Sequence, residues 1–111
     1  MLKNRFNIEE LNSAWFGCFR CFWCSRSGAD CFHHIISPSS QYYKKGEFNS
    51  SVLNSIPLHN FVCHLYNPEL HKQESRLLIE VIKYLLDNGY VLKEKDIEFF
   101  KAYRNLYVDK V

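Results

Sequence analysis

Cysteine and histidine, five of each in 111 residues, constrain this chain more than any hydrophobic pattern does. Three of the thiols recur at a fixed interval, Cys18, Cys21 and Cys24, with two residues between neighbours. Thiolates so spaced can grip one tetrahedral zinc from a tight turn, because the intervening backbone curls to bring both sulfurs inward. One such pair is half a site. The other half must come from far along the chain, and His59 with Cys63 is the natural supplier. A disulfide framework would leave no thiol over and needs an oxidising compartment, so metal ligation is the better reading of an odd count with histidines interleaved. A chain this short buries a limited core, and a structural metal would help it fold. The competing reading is a reduced, packed cysteine cluster.

The length predicts one domain over residues 1–111. No run approaches the ~18 consecutive apolar residues that a bilayer span requires. The start, Met1 to Glu10, lacks the apolar stretch of a secretory signal, so the expectation is a cytoplasmic protein with no membrane partner. The net charge is only +2, but it is unevenly placed. Arg20, Arg26, Lys44 and Lys45 face the single acid Asp30 between Gly17 and Gly46, whereas eight basic and eight acidic residues cancel from Glu69 onward. The positive excess therefore lies beside the cysteines and histidines, where a phosphate backbone would have to approach.

Along the chain, Asn7-Ile8-Glu9-Glu10 predicts a capped helix to about Ala14, with Leu11 and Trp15 inward. Residues 25–29 read as a turn and 30–36 as a first strand. A loop follows from Ser37 to Glu47, in which Tyr42, Tyr43, Lys44 and Lys45 suit contact with phosphate. A helical turn at 50–53 leads to a second strand at 54–58, whose Pro57 suits a sheet edge. Residues 61–65 should enter a helix, and Asn67-Pro68 offers a further helix start. Leu77, Leu78, Val81, Ile82, Leu85 and Leu86 recur at helical spacing up to Asn88-Gly89, a stop signal. A last helix from about Glu94 is expected to turn Ile97, Phe100, Tyr103 and Tyr107 to one face.

The chemistry concentrates at Asp30-Cys31-Phe32-His33-His34-Ile35-Ile36. Successive side chains of a strand point to opposite faces, so His33 and His34 cannot do the same job. One can hold a metal while its neighbour handles a proton. Downstream lie Asn54 and then His59, Cys63 and His64. Each has a plainer alternative: a packed strand histidine, a turn asparagine, a histidine capping a polar cluster.

Taken in order, C-x2-C, D-x-x-H-H-I, Asn54 and L-H-x3-C-H resemble the HNH endonuclease family over roughly residues 18–71. That resemblance implies an α+β fold, a small ββα-metal core with a short N-terminal helix (1–17) and two buttressing C-terminal helices (72–111). The family's spacing favours Cys21 and Cys24 for a structural zinc with His59 and Cys63, while Cys18 can replace either or be buried. The family's second half-site is usually another C-x2-C, so H-x3-C is a departure. The resemblance further implies that His33 ligates a catalytic divalent ion (Mg2+, Mn2+ or Zn2+) and His34 is the general base. Asn54 would orient His34 or brace the loop through its amide. His64 would complete the metal site, one residue later than usual, with His71 as an alternative or additional ligand. Arg26, Tyr42, Lys44 and Lys45 would contact nucleic acid. The implied activity is metal-dependent hydrolysis of DNA phosphodiesters. The substrate would be double-stranded DNA read with low sequence specificity, since so short a chain has no separate recognition module. Small phage recombination and packaging nucleases are similar in style, an analogy only. The alternative is a zinc-binding nucleic-acid module on the same scaffold without hydrolysis.

Overall fold

Asn7 begins the first helix as its sequence requires: its side-chain oxygen accepts the Glu10 N–H at 3.1 Å. The computed structural model describes residues 5–15, 20–65 and 67–108, with helix α1 at Ile8–Trp15. Leu11, Ala14 and Trp15 form its buried stripe, as expected. Trp15 does most to join the layers. Its ring stacks on Tyr84 with centroids 5.4 Å apart and meets Phe22 edge-on at 5.9 Å. Its indole N–H donates to Ser55 Oγ at 2.9 Å, and the Ser55 hydroxyl in turn donates to the Val52 carbonyl at 2.6 Å. The aromatic body is thus buried with its one polar atom satisfied.

Strands β1 (Cys31–His34) and β2 (Ser55–Leu58) pair antiparallel, with Cys31 opposite Leu58, Phe32 opposite Pro57, His33 opposite Ile56 and His34 opposite Ser55. Pro57 has no N–H to give, and the position suits it because its carbonyl is used outside the pair, accepting from Phe22 N–H at 2.9 Å. The first strand is shorter than the predicted 30–36. Ile35 N–H still meets the Asn54 carbonyl in register at 2.8 Å, but Ile36 N–H is taken by the Asn54 side-chain oxygen, also at 2.8 Å, and the ladder stops there. Two short 3-10 turns, Glu47–Ser50 and Val52–Asn54, precede β2, and a π turn, Asn60–Leu65, follows it.

Asn67 accepts the Glu69 N–H at 3.2 Å, but the chain passes through a 3-10 turn, Leu70–Gln73, before helix α2 settles at Glu74–Asp87. Leu77, Leu78, Val81 and Leu85 are buried. Leu86 is 46% exposed and lies off that face. Gly89, at φ 88, ends α2: Tyr90 N–H returns to the Leu85 carbonyl and Gly89 N–H to that of Leu86.

Helix α3, Glu94–Val108, corrects the predicted face. Asp96, Phe99 and Tyr103 are buried, whereas Ile97 and Phe100 are each 43% exposed; the Tyr107 side chain lies outside the described residues. The physical reason is a buried carboxylate. Asp96 reaches back to the Lys93 N–H at 2.8 Å, in the manner of a capping box, and also accepts from Ser51 Oγ at 2.6 Å and from the Tyr90 hydroxyl. These bonds fix the helix rotation and override the apolar count. The fold is α+β, a two-stranded antiparallel sheet among helices, and among the described residues no helix is long and apolar enough to cross a membrane.

Removing the Asp96 carboxylate strands three donors at once, the buried Ser51 hydroxyl and the part-buried Tyr90 hydroxyl and Lys93 N–H. Asp96→Ala should therefore lower stability by about 2–4 kcal/mol in urea denaturation, with Asp96→Asn in between, because an orphaned buried polar group costs about 1–3 kcal/mol. A loss under about 0.5 kcal/mol for the alanine variant would show that the network does not orient α3.

Candidate metal centres

The cysteine turn is closed both on itself and on β2. Ser25 N–H donates to the Cys21 carbonyl at 2.9 Å and Cys21 N–H to that of Arg26 at 2.8 Å. Ser25 turns the corner at φ 66, a left-handed conformation uncommon for a residue other than glycine. The Phe22 bond to Pro57 then holds the turn against the strand from which His59 emerges.

Cys21, Cys24, His59 and Cys63 meet there, each offering one ligand atom, all four within 4.8 Å of one another. His59 Nδ1 is 3.4 Å from Cys24 Sγ and 3.6 Å from Cys63 Sγ. Zinc bonds of ~2.3 Å to sulfur and ~2.0–2.1 Å to nitrogen give tetrahedral edges of roughly 3.6 Å for N–S and 3.8 Å for S–S. The donor set therefore fits a metal such as zinc. The imidazole is also presented in the right tautomer. Its Nε2 lies 3.0 Å from the Ser27 carbonyl, which can only accept, so Nε2 carries the proton and the Nδ1 lone pair faces the thiols. Gly28, at φ +89, makes the tight turn behind Ser27, where a side chain would be strained.

The thiols differ in charge preference. Burial alone would raise Cys21, yet backbone N–H groups of Cys24, His59 and Trp23 hold it down to about 7. Cys63 is pushed up to about 12, first by burial and then by Cys21 and Cys24 beside it. Gathered thiols resist joint ionisation without a cation, and a metal supplies that charge.

The three residues between His59 and Cys63 make one helical turn: Cys63 N–H donates to the His59 carbonyl at 3.1 Å, an i→i+4 bond that returns Cys63 to the cysteine turn as the chain enters the π turn at Asn60–Leu65. The next residue, His64, points elsewhere and meets β1. There its ring stacks on His33, centroids 3.7 Å apart and planes 20° from parallel. His34 takes the other direction and stacks on Phe6 at 4.2 Å and 17°.

Burial, and then the neighbouring His64, push His33 down to about 4, so it is neutral at physiological pH and able to donate a lone pair. Its Nε2 lies 2.8 Å from Cys31 Sγ. Asp30 accepts the Asn60 N–H at 2.8 Å, and that bond holds its carboxyl below the usual range. Asn54 is fully buried. Besides Ile36 N–H it binds the Asn49 carbonyl through Nδ2 at 3.1 Å, which makes it a brace of the loop after β1. His33 and His64 are thus neighbours through ring stacking. Among the described residues, the set of three cysteines and His59 is the group of three or more such donors that closes within 4.8 Å.

Cys18 lies outside the described residues, as does the side chain of His71. The residues expected to touch nucleic acid fall in two places. Arg26 is exposed on a cleft of about 600 Å³ shared with Cys24, His59 and Cys63. Tyr42 and Lys44 line another of about 590 Å³ with Tyr103 and Leu106, and Lys45 is exposed nearby in sequence. Sequence reasoning assigned no role to Cys31, Ser27 or Phe6. For Cys31 a signal existed, since residues i and i+2 of a strand share a face and place it beside His33. Comparison with protein-family models, with curated proteins and with solved structures gave no match.

Two outcomes are expected. Stripping the metal with a chelator should expose three further reactive thiols, those of Cys21, Cys24 and Cys63, with a fall in thermal stability. Equal thiol reactivity before and after chelation would leave only a packed cluster. The second concerns pH in metal-free protein. The unfolded chain protonates His33 near its ordinary value of ~6.5, while the folded chain refuses that proton until about 4. Stability should therefore decline as pH falls through that window, and His33→Gln should flatten the decline in urea midpoints taken at pH 7 and pH 5.

Proposed function

We propose that this chain is a metal-dependent endonuclease of the HNH type that hydrolyses DNA phosphodiester bonds. The observation that carries the reading is the division of the two histidines. His33 packs on His64 from the π turn, while His34, the next residue, turns away from that pair to Phe6. Phosphodiester hydrolysis needs both roles: a charged centre on the phosphoryl oxygen and a base for the attacking water.

A divalent ion, when bound at His33 and His64, supplies positive charge to the phosphate. The chain's own residues do the rest. His33, kept neutral by burial, offers its lone pair across the working pH range. His34 accepts the proton of the attacking water, a task for which a neutral imidazole is well suited. Asn54 fixes the backbone just beyond His34 through Ile35 and Ile36, so the base is positioned by the fold. The Cys21, Cys24, His59 and Cys63 centre anchors the π turn and with it His64. Arg26, Tyr42, Lys44 and Lys45 offer phosphate contacts on a double-stranded substrate, read with low sequence specificity.

A second reading is favoured by a different observation. The closed donor set is the structural one, and a zinc-binding nucleic-acid module needs nothing more.

Plasmid nicking with and without added divalent metal separates the two. His34→Ala should lose about 10²–10⁴-fold in rate while DNA binding and metal affinity stay near those of the parent. His33→Ala should weaken metal binding, and raised metal concentration should recover part of its activity. If His34→Ala is the variant rescued by metal, the two roles are exchanged. A parent that binds DNA but never nicks it supports the module instead.

A further inference from the structure

We propose that the cavity between the loop after β1 and helix α3 binds one unpaired nucleotide, its base stacked on the wall that carries Tyr42 and Tyr43 and its phosphate against Lys44. The inference rests on the nuclease reading only for DNA as the partner, and it makes a duplex with an unpaired nucleotide the preferred form of that partner. The cavity measures about 590 Å³, within the ~300–1,000 Å³ of sites that hold small ligands. Tyr42 and Tyr43 supply two aromatic rings to its lining, Gln41 and Asn105 two amides, and Lys44 a cation. Among the described residues no carboxylate lines it to repel a phosphate.

The walls are tied together before anything binds. Ser40 Oγ accepts the Tyr42 N–H at 3.1 Å and donates to Glu74 Oε2 at 3.3 Å, which fastens the loop to the start of α2. Lys44 N–H donates to the Tyr103 hydroxyl at 2.9 Å, and that hydroxyl donates to Asn49 Oδ1 at 2.6 Å, which fastens the loop to α3. Tyr103 leaves helical geometry at φ −118 and ψ 16, and residues on both sides of the kink, Ala102 and Asn105, share the wall. A cavity held in this way loses little freedom on binding. The chemistry of the lining selects the occupant. A nucleobase offers a flat π face to a tyrosine and hydrogen-bonding edges to amides, and its phosphate takes the cation. A simple anion would use only the lysine, and a simple aromatic only the rings. Tyr42 is 46% exposed, which leaves ring surface for a base to cover. Stacking is indifferent to which base is presented, in keeping with low sequence specificity. Taking a paired base costs unpairing and unstacking, so a nucleotide already unpaired fills the site at least cost.

Binding of the full chain to two short DNA duplexes, followed by fluorescence anisotropy, tests this. One carries a single bulged 5-iodouracil nucleotide, and the other the same nucleotide paired. The bulged duplex should bind about fivefold or more tighter, the contribution of one stacked base. Irradiation should cross-link the bulged iodouracil to the peptide that contains Tyr42 and Tyr43, read by mass, and the paired one should not reach it. Tyr42→Ala should abolish the preference while affinity for the paired duplex, which rests on phosphate contacts, stays within about twofold. Tyr42→Phe keeps the ring without the hydroxyl and should keep the preference. The position is exposed, so both variants should melt like the parent. Equal affinity for the two duplexes, or binding to neither, overturns the site. So does a cross-link elsewhere or none, or a preference that survives Tyr42→Ala. A loss in Tyr42→Phe equal to that in the alanine variant overturns stacking in favour of a hydroxyl on phosphate. Plasmid nicking is scored separately. A bulge preference without nicking in any divalent metal sinks the nuclease reading and leaves the nucleotide site. Nicking without the preference does the reverse.

Discussion

The structure depends on one cross-link between distant segments, the meeting of Cys21 and Cys24 with His59 and Cys63. Apolar packing also holds both segments, Phe22 against Trp15 and Tyr84, and His64 against His33. The polar contacts of the cysteine turn are mainly backbone bonds to Arg26 and Pro57, and the π turn has few long-range polar contacts beyond Asp30 with Asn60. A metal bond joining four side chains contributes folding free energy outright in small domains. A metal held by these four would also tie the end of β2 to the cysteine turn.

The second organising element is polar and fully buried. Asn54 holds Ile35, Ile36 and Asn49 at once, while Asp96 gathers Ser51, Tyr90 and Lys93. Between them these groups set the loop after the paired histidines and the rotation of α3. Both are cases in which hydrogen bonding, rather than apolar area, decides the local arrangement.

Much of this was legible in the sequence because it rests on short-range rules. The Asn7 cap, the inward Leu11 and Trp15 and the Gly89 stop follow from spacing and local chemistry, while the preference for Cys21 and Cys24 beside His59 and Cys63 came with the family resemblance. What escaped has a common cause in long-range polar contacts. The face of α3 was misjudged because a pattern of apolar residues cannot show that Asp96 would be buried by partners from 51 and 90. The end of β1 was placed two residues late because nothing at Ile36 announces its capture by the Asn54 side chain. The spacing of His59 and Cys63 is one helical turn, and the π turn that carries the chain on past His64 has no sequence signature of its own.

That turn has a consequence for how this chain tolerates change. Val62 and Leu65 are 75% and 56% exposed, so the identity of those side chains is loosely constrained. The number of residues is not. Deleting Val62, between His59 and Cys63, would swing each later side chain by about 100° around the axis. Cys63 and His64 could then no longer serve the two neighbouring clusters together. The segment therefore behaves like a ratchet tooth, free to vary in substance and fixed in count.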